Sequence, residues 1–311
     1  MNCKFCGKKV PSKFLGVCVE CSRSERVLSL IGEIHPRNGA FVKKCKLCAN
    51  ECKDLALCGK PVYGNLTYYE DPLPTNCCNS WFCKGSKLSG TNLAVFYYGC
   101  NFDCIFCQNW SHKNVNQTFV SLEELLEATM RKRVRCICHF GGSPEPQLPF
   151  ALKFSRKALE LREDLMICWE WNGAGNSSLA LKCAELSSKS KGTVKFDLKA
   201  WNEYLHMLLT GRSPERVRKN FELIGEKFPE VLSATTLLVP YYVDEHEIDG
   251  IASFIASLDE KIPYSLLVFH PDYRLRDLPV TPREQVFNCY KIAKKHLKNV
   301  NIGNLHLLGL L

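Results

Sequence analysis

From residue 93 onward the chain alternates between two apolar patterns. Short, nearly unbroken apolar runs at 93–98, 134–140, 165–169, 193–198, 231–239 and 264–269 have the length and the β-branched and aromatic content of buried strands. Between them lie longer stretches with apolar residues every three or four positions. Ser121 with Glu124 forms a capping box for a helix with acids in its first turn and Arg131-Lys132-Arg133 in its last. The spacing predicts helices over 149–163 and 176–190. It predicts another after Ser213-Pro214, with Val217, Phe221, Ile224 and Phe228 on one face, and one after Asp244 carrying Ile248, Ile251, Ile255 and Leu258. Thr281-Pro282 opens the last helix, and 300–303 forms a final strand. This amounts to about six β/α units, which implies a parallel sheet with right-handed crossovers. Six units fall short of the eight in a closed barrel, and an open doubly wound sheet is the alternative. In either form, functional loops belong at the carboxyl ends of the strands.

The chain before residue 93 has another character. Residues 23–40 predict a short helix and a connector that ends at His35-Pro36. Pro72, Pro74 and the run Asn76-Cys77-Cys78-Asn79-Ser80 predict an irregular loop. The expected organisation is a head and connector over 1–40, a cysteine-rich segment over 41–92 and an α/β domain over 93–311. With 311 residues, 46% of them hydrophobic, the chain has material for one large core and a small module. No apolar run approaches the roughly 20 residues that span a bilayer, and the first residues lack a hydrophobic signal core, so a cytoplasmic protein without membrane contact is expected. The net charge of +9 is compatible with an anionic partner such as RNA. The basic residues are nevertheless spread over helix faces, as on a solvated surface.

Cysteine usage changes the picture. Fourteen of the 19 cysteines precede residue 108. In a long chain without a signal segment, such clustering points to metal rather than disulfides. Cys3-x2-Cys6 and Cys18-x2-Cys21 are the paired knuckles of a zinc-ribbon or rubredoxin-type site, and four thiolates suit Zn²⁺ or a single iron. A module this small cannot bury enough core to fold unaided, so the metal would stabilise it directly. Cys45, Cys48, Cys52 and Cys58 supply ligands for a second site, with Cys77, Cys78 and Cys83 as competitors for membership. Their spacing is not the ferredoxin run, which favours a closed structural site over an auxiliary iron–sulfur cluster. Cys136, Cys138, Cys168, Cys183 and Cys289 are scattered and read as core packing.

Cys100-x3-Cys104-x2-Cys107 stands apart, because Gly99 breaks the first strand and puts these cysteines on the loop at its carboxyl end. Four thiolates would close a [4Fe–4S] cluster or a zinc site, whereas three leave one iron open to a substrate. A structural zinc loop is the alternative. The stretch Gly99-Cys100-Asn101-Phe102-Asp103-Cys104-Ile105-Phe106-Cys107-Gln108-Asn109 resembles the cluster loop of the radical S-adenosylmethionine (radical SAM) superfamily, and within it the pyruvate formate-lyase activating enzymes. The resemblance extends over roughly 45–304. It implies a partial (β/α)6 barrel in which Cys100, Cys104 and Cys107 hold a [4Fe–4S] cluster and the open iron takes the amino and carboxylate groups of SAM. One electron, from a donor such as ferredoxin or flavodoxin, would cleave SAM to methionine and a 5′-deoxyadenosyl radical. In activating enzymes that radical takes hydrogen from a glycine of a partner protein.

The same resemblance implies a SAM site. Gly141-Gly142-Ser143-Pro144-Glu145 stands where the family has a GGE-type motif, with Ser143 at the acidic position. The backbone of Gly141 and Gly142 would bind the SAM amino group. Glu170-Trp171-Asn172-Gly173 and Asp197-Leu198-Lys199 are similar to the family's acidic-x-Asn-Gly and Asp-Leu-Lys stretches. Their acids would order the SAM carboxylate, and because like charges repel, Lys199 or a bound cation must bridge them. His270 resembles the position that touches the adenosine. Rival readings are radical chemistry on RNA or a small molecule, a non-catalytic metal-binding adaptor, and a different α/β enzyme carrying structural zinc.

Overall fold

The computed structural model describes residues 1–36, 40–59, 63–73, 77–113 and 118–310. Its strands are β1 (Ala40–Phe41), β2 (Leu55–Ala56), β3 (Leu66–Pro72), β4 (Thr91–Tyr97), β5 (Val134–Gly141), β6 (Met166–Trp171), β7 (Val194–Asp197), β8 (Leu232–Leu238), β9 (Tyr264–Val268) and β10 (Val300–Gly303). Its helices are α1 (Val19–Ser22), α2 (Leu28–Ile34), α3 (Leu122–Thr129), α4 (Leu148–Leu161), α5 (Ser177–Ser190), α6 (Glu203–Thr210), α7 (Glu215–Lys227), α8 (Glu245–Leu258) and α9 (Arg283–His296). β1 and β2 form a small antiparallel pair, and the other eight strands form one sheet in the order β10-β9-β8-β7-β6-β5-β4-β3.

From β4 to β10 every neighbouring pair is parallel. The order follows the sequence without reversal, so right-handed crossovers place all the helices on one face. A doubly wound sheet needs a reversal and is thereby excluded. The result is the expected partial (β/α)6 barrel: six strand–helix units from β4 to α9, closed off by β10. β3 and β10 are the two edges of the wall.

Alternation along the strands separates two environments. His139, Trp169, Trp171 and Phe196 point to the helices, where His139 Nε2 meets Ser155 Oγ of α4 at 2.8 Å and Trp171, Phe196 and Phe221 stack edge to face. Both faces of the central strands are buried, as parallel sheets require. The concave face carries Cys136, Cys138, Cys168, Glu170, Lys195 and Asp197 instead.

Two local expectations change. The segment ending at Pro72 is a regular strand, β3, paired antiparallel to β4 along its whole length. Proline is tolerated there because β3 is an edge whose last residue needs no further partner. Pro74 and Asn76 lie outside the described residues. Helix α3 stops at Thr129, so Arg131 and Arg133 lie beyond it. They reach across to β3 and clamp Glu70 at 2.6 and 2.5 Å.

The head is docked, not tethered. Leu15 and Val17 are fully buried in the same apolar cluster as the barrel residues. Tyr242 donates to the Val17 carbonyl at 2.8 Å, and Arg23 binds Asp244 at 2.5 Å and Glu247 at 2.9 Å. Among the described residues no helix is long and apolar enough to cross a membrane.

Glu70 makes the β3 edge sensitive to acid. The Arg133 guanidinium holds its carboxyl at about 2, against burial and with help from Arg131 and Thr91. The folded value lies below the unfolded one. The contribution is therefore complete above about pH 4.5 and is lost as the pH falls toward 2. Because the arginines are exposed and screened, Glu70→Gln should cost about 1 kcal/mol at neutral pH and flatten the acid limb of stability. Urea titrations of both proteins across that window check this, and an unchanged acid limb contradicts it.

Candidate active site

The cluster loop leaves β4 through Gly99, whose φ of 82° is readily adopted only by glycine. Backbone bonds anchor it to the end of α6: Asp103 N donates to Thr210 O at 2.9 Å and Ile105 N to Leu209 O at 3.0 Å. The Asp103 side chain gathers Lys113 at 2.9 Å, His35 Nδ1 at 3.0 Å and Arg274 at 3.5 Å. Burial alone would raise this carboxyl, but His35 and Lys113 hold it at about 2. Burial pushes the Cys100 thiol well up and the Cys104 thiol up to about 11. Ionising these thiols without a metal is therefore unfavourable, and iron would take the place of their protons.

Sulfur spacing distinguishes two kinds of site. The sulfurs of Cys3, Cys6, Cys18 and Cys21 all lie within 4.8 Å of one another, with Cys6 and Cys18 at 3.5 Å. A tetrahedral ion with bonds of about 2.3 Å spaces its sulfurs about 3.8 Å apart, so the head fits a single zinc or iron ion. Among the described residues no other three cysteines are packed so closely. The wider set Cys100, Cys104 and Cys107 suits a polynuclear cluster, in which each thiolate holds a different iron. Cys45, Cys48, Cys52 and Cys58 share one neighbourhood. Cys45 N donates to Cys52 O at 2.7 Å, and burial, reinforced by the other three, pushes Cys48 up to about 12. This segment lies against the loop after β6, through Ala49 N to Ala174 O at 2.8 Å, and against the cluster loop, through Asn50 to Asn101 O at 2.9 Å.

Cys100, Cys104 and Cys107 open onto a cavity of about 180 Å³ at the carboxyl ends of the strands. Gly141, Gly142, Glu170, Asn172, Lys195, Asp197 and Lys199 line it together with them. His270 does not; it is exposed beyond the end of β9, whose Leu267 reaches the cavity instead. Gly141 and Gly142 are glycines for a steric reason. A Cβ on Gly142 would stand 2.3 Å from Gly99 O, and one on Gly141 would stand 2.6 Å from Tyr97 N. The N–H groups of Gly142 and Ser143 are spent on Tyr97 O and Gly99 O. What remains at this rim is carbonyl oxygen, an acceptor suited to an ammonium group.

Ser143 and Glu145 play another part. Ser143 Oγ donates to the buried Glu145 carboxyl, which also accepts from Gly173 N at 2.8 Å, and burial pushes Glu145 up to about 7. Asn172 Nδ2 donates to Asn101 Oδ1 at 2.7 Å and to Ser143 Oγ at 3.0 Å, and approaches Cys100 Sγ at 3.8 Å. Asn172 thus buttons the cluster loop to the ends of two strands.

The two acids do stand on adjacent strands. The cation between them is Lys195, which sequence reasoning passed over as an ordinary strand residue. Its Nζ lies 2.7 Å from Glu170 and 3.7 Å from Asp197, while Lys199 holds Asp197 from the other side at 2.9 Å. Burial opposes ionisation of both acids, yet Lys195 keeps Glu170 below its ordinary value, and Lys199 with Lys195 keeps Asp197 well below. The signal was available: Lys195 is two residues from Asp197 on a strand, hence on the same face. The donor set fits a three-thiolate cluster with a zwitterionic ligand. Three thiols face one cavity, carbonyl acceptors form its rim, and charges of both signs line its wall.

Comparison with known proteins agrees with this geometry. The family model described as the radical SAM superfamily matches residues 94–255, just over half of the chain. A Methanocaldococcus jannaschii protein, provisionally named as a glycyl-radical enzyme activating enzyme, is 27% identical over 214 residues, covering 67% of this chain and 79% of that protein. The indoleacetate decarboxylase activating enzyme of Tractidigestivibacter scatoligenes is 34% identical over 97 residues, covering 31% of this chain and 29% of its own. Among solved structures, Streptococcus suis SuiB bound to its precursor peptide SuiA superposes with a TM-score of 0.53 at 15% identity, over 68% of this chain. This chain spans about half of SuiB, with 48% of that chain covered, and the likeness is one of fold.

Gly142→Ala tests the strand-end contact. The added methyl must displace the Gly99 carbonyl, an overpacking cost of about 1–3 kcal/mol that falls on the cluster loop. Anaerobically reconstituted Gly142→Ala should hold less iron than wild type while its circular dichroism is retained. Wild-type iron content would show that the loop does not depend on this contact.

Proposed function

The chain belongs to the radical SAM superfamily, and on that premise we propose that it is an activating-enzyme-like oxidoreductase that cleaves SAM and abstracts hydrogen from a C–H bond, with a glycine Cα of a partner protein as the favoured substrate. Cys100, Cys104 and Cys107 would hold a [4Fe–4S] cluster, which would supply the one electron needed to cleave SAM into methionine and a 5′-deoxyadenosyl radical. The observation that carries this reading is the single cavity joining those three thiols to Gly141, Gly142, Asn172 and the acid–lysine array.

In this reading each group has a physical task. The Gly141 and Gly142 carbonyls accept from the SAM ammonium. Lys195 and Lys199 neutralise Glu170 and Asp197, so that the SAM carboxylate meets ammonium groups rather than bare carboxylates. Phe102, Phe106, Leu237 and Leu267 make part of the wall apolar, which excludes water from a reactive intermediate. Asn172 and Asn101 hold the loop in register with the strand ends. The names of the relatives support a protein substrate, and the net charge of +9 suits an acidic one-electron donor of the ferredoxin or flavodoxin kind. In the head, a structural zinc ion is the favoured occupant of Cys3, Cys6, Cys18 and Cys21.

Replacing Cys100, Cys104 and Cys107 together by Ala should abolish 5′-deoxyadenosine formation from SAM and dithionite while the fold is retained. Measurable reductive cleavage by that variant would overturn the assignment.

Asp197→Asn keeps an acceptor for Thr235 but removes the ion pairs that hold Lys199 and Lys195 in position to meet the SAM carboxylate. A charge-assisted contact is worth about 1.5–3 kcal/mol, so SAM affinity should fall roughly ten- to a hundredfold, and further in Asp197→Ala. Equilibrium binding of SAM to the reconstituted variants measures this. Wild-type affinity in both would remove Asp197 from the SAM site.

A further inference from the structure

Six thiols that the proposed reaction does not use converge in the barrel lumen, toward the amino ends of the strands. Alternate positions of β5 and β6 put Cys136, Cys138 and Cys168 on the concave face, with Cys138 and Cys168 directly opposite each other in the ladder. Segment 77–88 fills the lumen from inside. Asn79 Nδ2 bonds Ser233 Oγ of β8 at 3.1 Å, and Trp81 Nε1 bonds Ser265 Oγ of β9 at 2.9 Å. This plug sets Cys77, Cys78 and Cys83 against the strand cysteines. Cys83 and Cys168 are in side-chain hydrogen-bond contact. Cys77 Sγ lies 2.7 Å and Cys138 Sγ 3.5 Å from the same oxygen of Glu170.

Packing alone accounts poorly for this. Buried cysteine behaves as a small hydrophobe and keeps aliphatic company. The small cavity lined by Cys77, Cys83, Cys136, Cys138 and Cys168 is otherwise bounded by Ser80, Ser86, Asn92, Thr193 and Gly85, with Leu73 its one aliphatic neighbour. Thiols from three separate segments around one small cavity are soft ligands suited to a soft metal. Their spacing also discriminates. Unlike the head cysteines, no three of them lie within 4.8 Å of one another, which does not match a single tetrahedral ion. Cys100, Cys104 and Cys107 share that wider spacing.

We propose that Cys77, Cys83, Cys138 and Cys168 ligate a second iron–sulfur cluster inside the barrel, beneath the SAM cavity and separated from it by Glu170. Cys136, whose thiol donates to Asn92 Oδ1 at 3.2 Å, stays a neighbour rather than a ligand. The centre forms when the four thiols release their protons to solvent and bind iron bridged by inorganic sulfide, both taken up from solution, with no change of oxidation state required of the protein. It does not depend on the three-cysteine loop, so it can be tested with that loop disabled.

The experiment uses the full chain carrying Cys100→Ala, Cys104→Ala and Cys107→Ala, reconstituted anaerobically with iron and sulfide. It should retain iron, acid-labile sulfide and a reduced-cluster electron paramagnetic resonance signal. Adding Cys138→Ala and Cys168→Ala should remove about two to four irons and as many sulfides per chain, together with the signal. If the strand variants do not fold, Cys77→Ala and Cys83→Ala, on the plug, should give the same loss. Three results overturn the proposal: no sulfide in the three-cysteine variant, iron and sulfide content indifferent to the lumen substitutions, or zinc without sulfide at the lumen thiols. None of these depends on whether wild-type protein cleaves SAM.

Discussion

Asp103 is the point on which the site hangs. It sits next to Cys104 in the cluster loop, and its carboxylate collects Lys113, His35 and Arg274 from three other parts of the chain. His35 ends the connector from the head and also meets Leu208 O of α6 at 2.9 Å. Arg274, beyond β9, meets Ile34 O at 2.6 Å. A loop that is to present three thiolates to one cluster, as proposed for Cys100, Cys104 and Cys107, cannot be mobile, because misplacement of any ligand would cost the whole centre. One half-buried carboxylate held by a lysine, an arginine and a histidine supplies that rigidity without a hydrophobic core in the loop itself. It also explains why the head is packed into the barrel: the connector completes the cluster loop's own network.

The second constraint is charge balance on the concave face. Glu170, Lys195, Asp197 and Lys199 are two acids and two bases in alternation, all inside a cavity wall. Burying any one alone would cost several kcal/mol. Together they are neutral, yet they leave dipoles of both directions facing the cavity. That is a suitable surface for a ligand with an ammonium and a carboxylate on one carbon, and a poor one for an apolar ligand.

The third is close backbone approach. Gly99 and Gly142 bring the ends of β4 and β5 together more tightly than side chains allow. Glu145, buried and bound to Ser143 and Gly173, ties the end of β5 to the loop after β6. The departure of Ser143 from the acidic residue of the family motif is thereby understandable. The hydroxyl and the displaced acid work as one unit, facing the protein interior rather than the cavity.

Most of the fold was legible in the chain because strands and helices report local periodicity. The six β/α units, the capping box at Ser121 and the cluster loop after Gly99 all follow from neighbours in sequence. The head's four-cysteine site was legible for the same reason, since CxxC knuckles carry their own geometry. What local pattern could not supply was convergence. β3 was missed because an edge strand ending in proline has little strand signature of its own. Lys195 looked like any strand lysine until the β6–β7 register set it between Glu170 and Asp197. His270 carried a family position but stands exposed outside the cavity lining, because chain order does not say which side chain at a strand end turns inward. Cys138 and Cys168 read as isolated buried cysteines, and Cys77 as a loop residue competing for a place in the Cys45–Cys58 site. Only the parallel register and the curl of a singly wound sheet bring them to one lumen, because the contacts of an inward-facing residue are chosen by the strands beside it and the plug in front of it, not by the residues before and after it in the chain.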